Sequence, residues 1–149
     1  MVELRTITKE NLEEVLNLSV LEDQESFVSS TVYSLAEAYA YRETAFPFAI
    51  YANNTLVEGA VGFIMLGYYE AKNQYTLWKF LIDKNHQGKG YGREALIKGI
   101  KYLKDRFGIR EIYTGVALGN ERAKHLYRSI GFKETGLVED NMEEMRYVG

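Results

Sequence analysis

Gln87-Gly88-Lys89-Gly90-Tyr91-Gly92 is the segment whose residue types point most directly to chemistry. Three alternating glycines let the chain curl tightly and bring bare backbone N–H groups close to a ligand. A run with helical periodicity follows at once, and the first turn of a helix carries unpaired donors and a partial positive charge. Loop and helix start together form an anion site, suited above all to a phosphate. Lys89 and Arg93 add charged donors at its rim. A second segment follows about thirty residues later. In it Asn120 precedes a helical run carrying Tyr127, and Gly131-Phe132 ends the run.

The elements around these segments can be read from periodicity and punctuation. Val2–Ile7 alternates as a strand, and Thr8 is placed to cap a helix over Lys9–Leu18. Residues 22–30 mix acids, Ser and Phe without a clear period and read as a loop or broken helix. Ser34-Leu35-Ala36-Glu37 has the capping-box pattern, which predicts a second helix from there to about Glu43. Phe46–Ala52, the Asn53-Asn54 turn and Leu56–Tyr69 read as a hairpin, with Gly59 and Gly62 marking a bulge or bend. Tyr75–Ile82 is a further strand running into the glycine loop. Leu96, Ile97, Ile100, Leu103 and Phe107 then mark one face of a helix over 91–107, stopped by Gly108. Glu111–Leu118 is a strand, Glu121–Ile130 a helix, and Phe132–Val138 with Met142–Val148 a final strand pair. Two strands joined by a crossover helix run parallel. The expected fold is therefore α+β, a mixed, mostly antiparallel sheet of seven strands with about four helices, as one domain over 1–149.

Composition narrows the function. With 46% hydrophobic and 26% charged residues, the chain has the balance of a folded domain. A net charge of −3 without a basic run argues against nucleic acid. The absence of cysteine removes thiolate and zinc–cysteine chemistry, and His86 and His125 alone make no metal site. Both histidines are expected on the surface. No apolar stretch reaches membrane-spanning length, and Met1-Val2-Glu3-Leu4-Arg5 lacks the form of a signal peptide, so the expectation is a cytoplasmic protein without membrane partners. Lys89 is not followed by Ser or Thr, which rules against an ATP-type phosphate loop. The glycines also come after hairpins rather than in a first βαβ unit, which disfavours a dinucleotide fold.

Gln87, Gly90 and Gly92 after a strand, followed by Asn120, Tyr127 and Gly131-Phe132, resemble the GNAT superfamily of N-acetyltransferases over the whole chain. Trp78-Lys79-Phe80-Leu81-Ile82-Asp83 running into His86-Gln87-Gly88, the Glu25-Ser26-Phe27-Val28 segment and Ser34–Tyr39 are similar to bacterial polyamine acetyltransferases. Lys84 stands where that family often has proline, a change that leaves a backbone-built site intact.

The resemblance implies acetyl-CoA as co-substrate, bound where two parallel central strands, 76–83 and 111–118, splay apart. The pantetheine arm would pair with backbone at Phe80, Leu81 and Ile82. The pyrophosphate would rest on the amides of Gln87, Gly88, Lys89, Gly90, Tyr91, Gly92 and Arg93. The reaction is attack of an amine on the thioester. A backbone N–H at Leu81 or Ile82 would serve the oxyanion. Tyr127 would give a proton to the leaving thiolate, an uphill transfer of modest size for a phenol of pKa about 10. Asn120 would hold the cofactor arm or a water as well as capping its helix.

The amine must also lose a proton, and Glu25 is the candidate base. Glu22 and Asp23 beside it would draw in a polycation. Trp78, with Tyr33, Tyr39, Tyr68 and Tyr69, is a candidate wall of the acceptor pocket, since aromatic faces suit cations. The expected acceptor is a primary amine of a small polyamine such as spermidine or spermine. The alternatives are a protein, peptide or aminoglycoside acceptor, or a CoA-binding sensor without turnover. A homodimer through residues 132–148 is a further expectation from the family.

Overall fold

A computed structural model describes all 149 residues. Seven strands form one mixed sheet: β1 (Val2–Thr6), β2 (Ala45–Ala52), β3 (Ala60–Tyr69), β4 (Gln74–Ile82), β5 (Glu111–Ala117), β6 (Lys133–Glu139) and β7 (Met142–Val148). Their spatial order is β1-β2-β3-β4-β5-β7-β6. Every neighbouring pair is antiparallel except β4–β5, which is parallel and joined by the crossover helix. The four helices are α1 (Leu12–Leu16), α2 (Thr31–Ala40), α3 (Tyr91–Phe107) and α4 (Glu121–Ile130). Short 3-10 segments lie at Glu22–Phe27 and Glu70–Lys72.

Each face of the sheet carries a core. On one, Ala95, Leu96, Ile100 and Leu103 of α3 and Tyr127 of α4 pack on Ile64, Leu66, Leu77, Ile112 and Val116. On the other, Val15 and Leu18 from the α1 region and Ala38 of α2 pack on Ala49, Phe63, Met65 and Leu81. Removing that apolar area from water is the main favourable term in folding. Burying one side chain of Leu or Phe size contributes roughly 1.5–3 kcal/mol.

Two strands carry an extra residue. Opposite β2, Ile50 pairs with Gly62 and Tyr51 with Ala60, so Val61 is surplus, beside the expected Gly62. Opposite β3, Met65 pairs with Lys79 and Leu66 with Leu77, so Trp78 has no partner. The bulge breaks the alternation of side chains. Leu77 and Phe80 face α3, while Trp78 and Leu81 pack in the opposite core and Lys79 reaches α2.

Some boundaries differ from expectation. Asn11 takes the place of Thr8 as N-cap of the first helix. Its side chain accepts from Thr8 N at 2.8 Å and donates to Thr6 O at 3.1 Å, closing a turn that delays the helix to Leu12. The second helix starts at Thr31, with Ser30 Oγ accepting from Tyr33 N at 3.1 Å. Ser34, the expected cap, is buried inside the helix. Residues 56–59 precede β3 rather than belonging to it.

Candidate active site

The parallel pair is short. Thr76 aligns with Tyr113 and Leu77 with Thr114, and no pairing follows. Beyond that point the strands part. The edge of β4 from Trp78 to Ile82 that faces β5 has no strand partner, while its other edge continues along β3 to Gly62. Thr114 marks the parting point: its Oγ1 donates to Leu77 O at 3.0 Å across the two strands. A buried ladder group left unpaired is costly, so a strand edge opened inside the molecule is a place for an extended ligand.

The glycine loop follows β4 directly. Gly88 and Gly90 have φ of +78° and +84°, a conformation that costs an L side chain roughly 1–2 kcal/mol. A Cβ at either would meet nothing within 4 Å, so it is the backbone shape that calls for glycine, with open space above. Gly92 differs. A Cβ there would come within 3.1 Å of Phe80 Cζ and 3.4 Å of Ile82 Cγ1, so it lets α3 begin tight against β4. The N–H groups of Gln87, Gly88 and Gly90 find no acceptor in the chain. Gly90 is the N-cap of α3 and supplies no side-chain cap. Free donors, an uncapped helix start and open space fit a diphosphate. Lys89 and Arg93 are exposed at the rim, and Tyr91 packs on the core beneath.

Gln87 ties the loop to its surroundings. Its Nε2 donates to Ile82 O at 3.0 Å and to Gln24 Oε1 at 2.9 Å. Its Oε1 accepts from Gln24 Nε2 at 3.2 Å and from Arg122 Nη1 at 2.9 Å. The Glu22–Phe27 segment is thereby fastened to the end of β4. Phe27 also approaches Gly119, just past β5, with its ring 3.8 Å from where a Cβ would stand. That segment therefore lies across the open ends of both parted strands. Glu22, Asp23 and Glu25 are exposed there, with no ion pair or hydrogen bond to another side chain. Gln24, absent from the expected site, is the residue of the segment that grips the loop. Its signal in the sequence was hidden, because an amide in an aperiodic acidic stretch reads as solvated.

Tyr127 is buried, with its ring 5.7 Å from that of Phe132. Burial pushes its phenol well above the usual tyrosine range, and the neighbouring Thr114 hydroxyl partly opposes the rise. The phenol thus stands at the parting point in its protonated form. Asn120 caps α4, its Oδ1 accepting from Ala123 N at 3.3 Å, which leaves its amide nitrogen for another partner.

Trp78 packs edge-on to Tyr41 with centroids 5.7 Å apart, on the α2 face of the sheet. Tyr68 and Tyr69 lie at the opposite end of β4 from the glycine loop, beside Tyr75 and Gln74, so they do not wall this site. Tyr33 and Tyr39 are exposed on α2. His125 is exposed as expected. His86 is half-buried, and its Nδ1 is shut off without a partner.

The acetyltransferase (GNAT) family model matches residues 12–132. A probable spermine N(1)-acetyltransferase of Bacillus subtilis subsp. natto is 30% identical, covering 97% of this chain and 95% of its own. The spermine/spermidine N(1)-acetyltransferase of Bacillus subtilis strain 168 is 29% identical over the same shares. Among solved structures, the spermidine N-acetyltransferase of Vibrio cholerae in complex with CoA and spermine superposes with a TM-score of 0.77. It is 22% identical, with 99% of this chain and 95% of that one covered. Parted parallel strands, an uncapped glycine loop and a match over most of the length agree: the chain belongs to the acetyltransferase (GNAT) family.

Proposed function

We propose that this protein transfers the acetyl group of acetyl-CoA to a primary amine of a small polyamine, with spermidine and spermine as the first candidates. The observation that carries the reading is the opening between β4 and β5 directly below a loop of unsatisfied N–H donors. The names of the Bacillus relatives support the polyamine class. The exposed carboxylates of Glu22, Asp23 and Glu25 across the open strand ends support a cationic acceptor.

In this reading the residues divide the work. Main-chain N–H groups from Gln87 to Arg93 hold the diphosphate, with Lys89 and Arg93 screening its charge. The free edge of β4 at Phe80, Leu81 and Ile82 pairs with the pantetheine arm and supplies the donor that stabilises negative charge on the carbonyl oxygen. Asn120 contributes its amide nitrogen to the same arm. Tyr127, kept neutral by burial, hydrogen-bonds the departing sulfur and delivers its proton there, a transfer that the raised pKa makes more uphill than for a free phenol. Glu25 receives the proton of the amine, directly or through water, while Glu22, Asp23 and Trp78 gather the acceptor. The chain acts as a single domain in the cytoplasm, and the outer edge of β6 is the surface through which two copies would pair.

A thiol-release assay with acetyl-CoA and a panel of polyamines, monoamines, peptides and aminoglycosides tests the reading. Release that depends on polyamines is expected. CoA and acetyl-CoA should also raise the melting temperature, since both bind the native state. Stabilisation by ATP alone, with no thiol released by any amine, overturns it.

A further inference from the structure

Lys79 leaves β4 at the bulge and ends in a ready-made ammonium nest. Its Nζ donates to Ser29 Oγ at 2.8 Å, stands 3.2 Å from Glu37 Oε1, and lies 5.7 Å from the centre of the Tyr33 ring. Carboxylate, hydroxyl and aromatic face are the groups that recognise an alkylammonium. Tyr33 and Glu37 are four residues apart on α2 and so share one face of that helix. Ser29 comes just before its cap. The pair is sheltered, with about a fifth to a quarter of each side chain exposed (20% and 24%).

The fit is imperfect in one informative respect. Glu37 Oε1 is closed to solvent and receives no hydrogen bond, although the ammonium is within ion-pair distance. Held by its attachment to β4, the ammonium sits with an N–H on Ser29 and none directed at that oxygen. An untethered alkylammonium has no such constraint. The lysine stem is itself a four-carbon chain ending in an ammonium, a close mimic of an aminobutyl arm. The nest opens on the α2 face of β4. Lys79 precedes Leu81 by two residues, roughly 7 Å along the strand.

The geometry points to a second ammonium subsite made by Ser29, Tyr33 and Glu37, plugged by Lys79 in the free protein and taken over by a non-reacting ammonium of a diamine or polyamine. Lys79 then acts as a selectivity residue: it makes long polyamines work for the subsite and leaves monoamines indifferent to it. This rests on the amine-acetylation reading above, which supplies the reason for a second ammonium to arrive.

Calorimetric titration of the full chain with 1,4-diaminobutane, spermine and butylamine tests the proposal without turnover. Lys79→Met keeps most of the stem and removes the charge. The expected result is that diamine and spermine affinity rises about tenfold relative to butylamine, the size of one added charge-assisted hydrogen bond. Adding Glu37→Gln should abolish the gain. Unchanged or weaker diamine binding in Lys79→Met, an equal gain for butylamine, or a gain that survives Glu37→Gln overturns it. Should Lys79→Met fail to fold, Glu37→Gln alone decides: a loss confined to diamine and spermine supports the subsite, and no such loss refutes it. A wild-type protein that releases thiol with no amine would sink the acetylation reading, while this binding comparison would still be decided on its own.

Discussion

Replacing Tyr127 with Phe isolates one hydroxyl in a buried ring. The ring remains, so packing on Phe132 is kept. Thr114 still donates to Leu77 O, so no group at the parting point is stranded. The stability cost at pH 7 should then stay below about 1 kcal/mol. Turnover should fall far more, by about a hundredfold or greater, the range for a positioned general acid. A hundredfold loss is about 2.7 kcal/mol on the barrier. Affinity for acetyl-CoA should hardly change. The phenol also has a pH signature. Burial sets its native pKa above the unfolded value of about 10. Above that pH the unfolded chain releases the Tyr127 proton and the native chain retains it. Stability should therefore decline with rising pH, by up to roughly 1.4 kcal/mol per unit from this group alone. Tyr127→Phe should flatten that alkaline decline. The assays are steady-state kinetics with thiol detection, and urea melts from pH 7 to 11. Full turnover in the Phe variant refutes the acid role, and an alkaline decline identical to wild type refutes the burial argument.

Three further outcomes concern the scaffold. Gly90→Ala should destabilise by about 1–2 kcal/mol through its positive φ, lowering the melting temperature by roughly 2–4 °C for each kcal/mol. Gly92→Ala, with no φ penalty, should instead raise the KM for acetyl-CoA by pushing the start of α3 off Phe80, and a KM unchanged in Gly92→Ala with a shifted one in a surface Ala control would contradict this. Arg128 holds Glu134 through two hydrogen bonds of 2.9 and 2.6 Å, and these draw the carboxyl down to about 2. Its stabilisation is present above the unfolded pKa near 4 and fades as pH falls toward 2. In Arg128→Gln an NMR titration should find Glu134 back in the ordinary carboxylate range.

What could be read from the residues was whatever depends on local periodicity. Of the helix face read from Leu96, Ile97, Ile100, Leu103 and Phe107, Leu96, Ile100 and Leu103 are buried and Phe107 packs at the core's edge, while Ile97 is exposed. The glycine loop was legible because positive φ and bare N–H groups leave a mark in composition. The start of α2 was not. Ser30 and Ser34 are one turn apart on one face, so a capping pattern shifts between them without penalty. Burial of Thr31, Ser34 and Ala38 against the sheet decides the matter, and that is a tertiary fact. The grip of Gln24 on Gln87 and the pairing of Lys79 with Glu37 join residues 63 and 42 positions apart, respectively, in the chain. No window of sequence contains either. Thr114 reads as one more strand residue, because its importance comes from the strand it faces.

The surplus Trp78 has a consequence for how this architecture tolerates change. Just upstream of it, at Thr76 and Leu77, β4 is paired on both sides. Downstream it belongs to β3 alone. Deleting that one residue would restore strict alternation with Lys79 still on the α2 side and Met65 and Leu66 still opposite Lys79 and Leu77, so the register would survive while the local bend in β4 was lost. Point substitutions along this stretch are survivable changes of fit, whereas loss of that one residue would straighten the strand where the cleft begins.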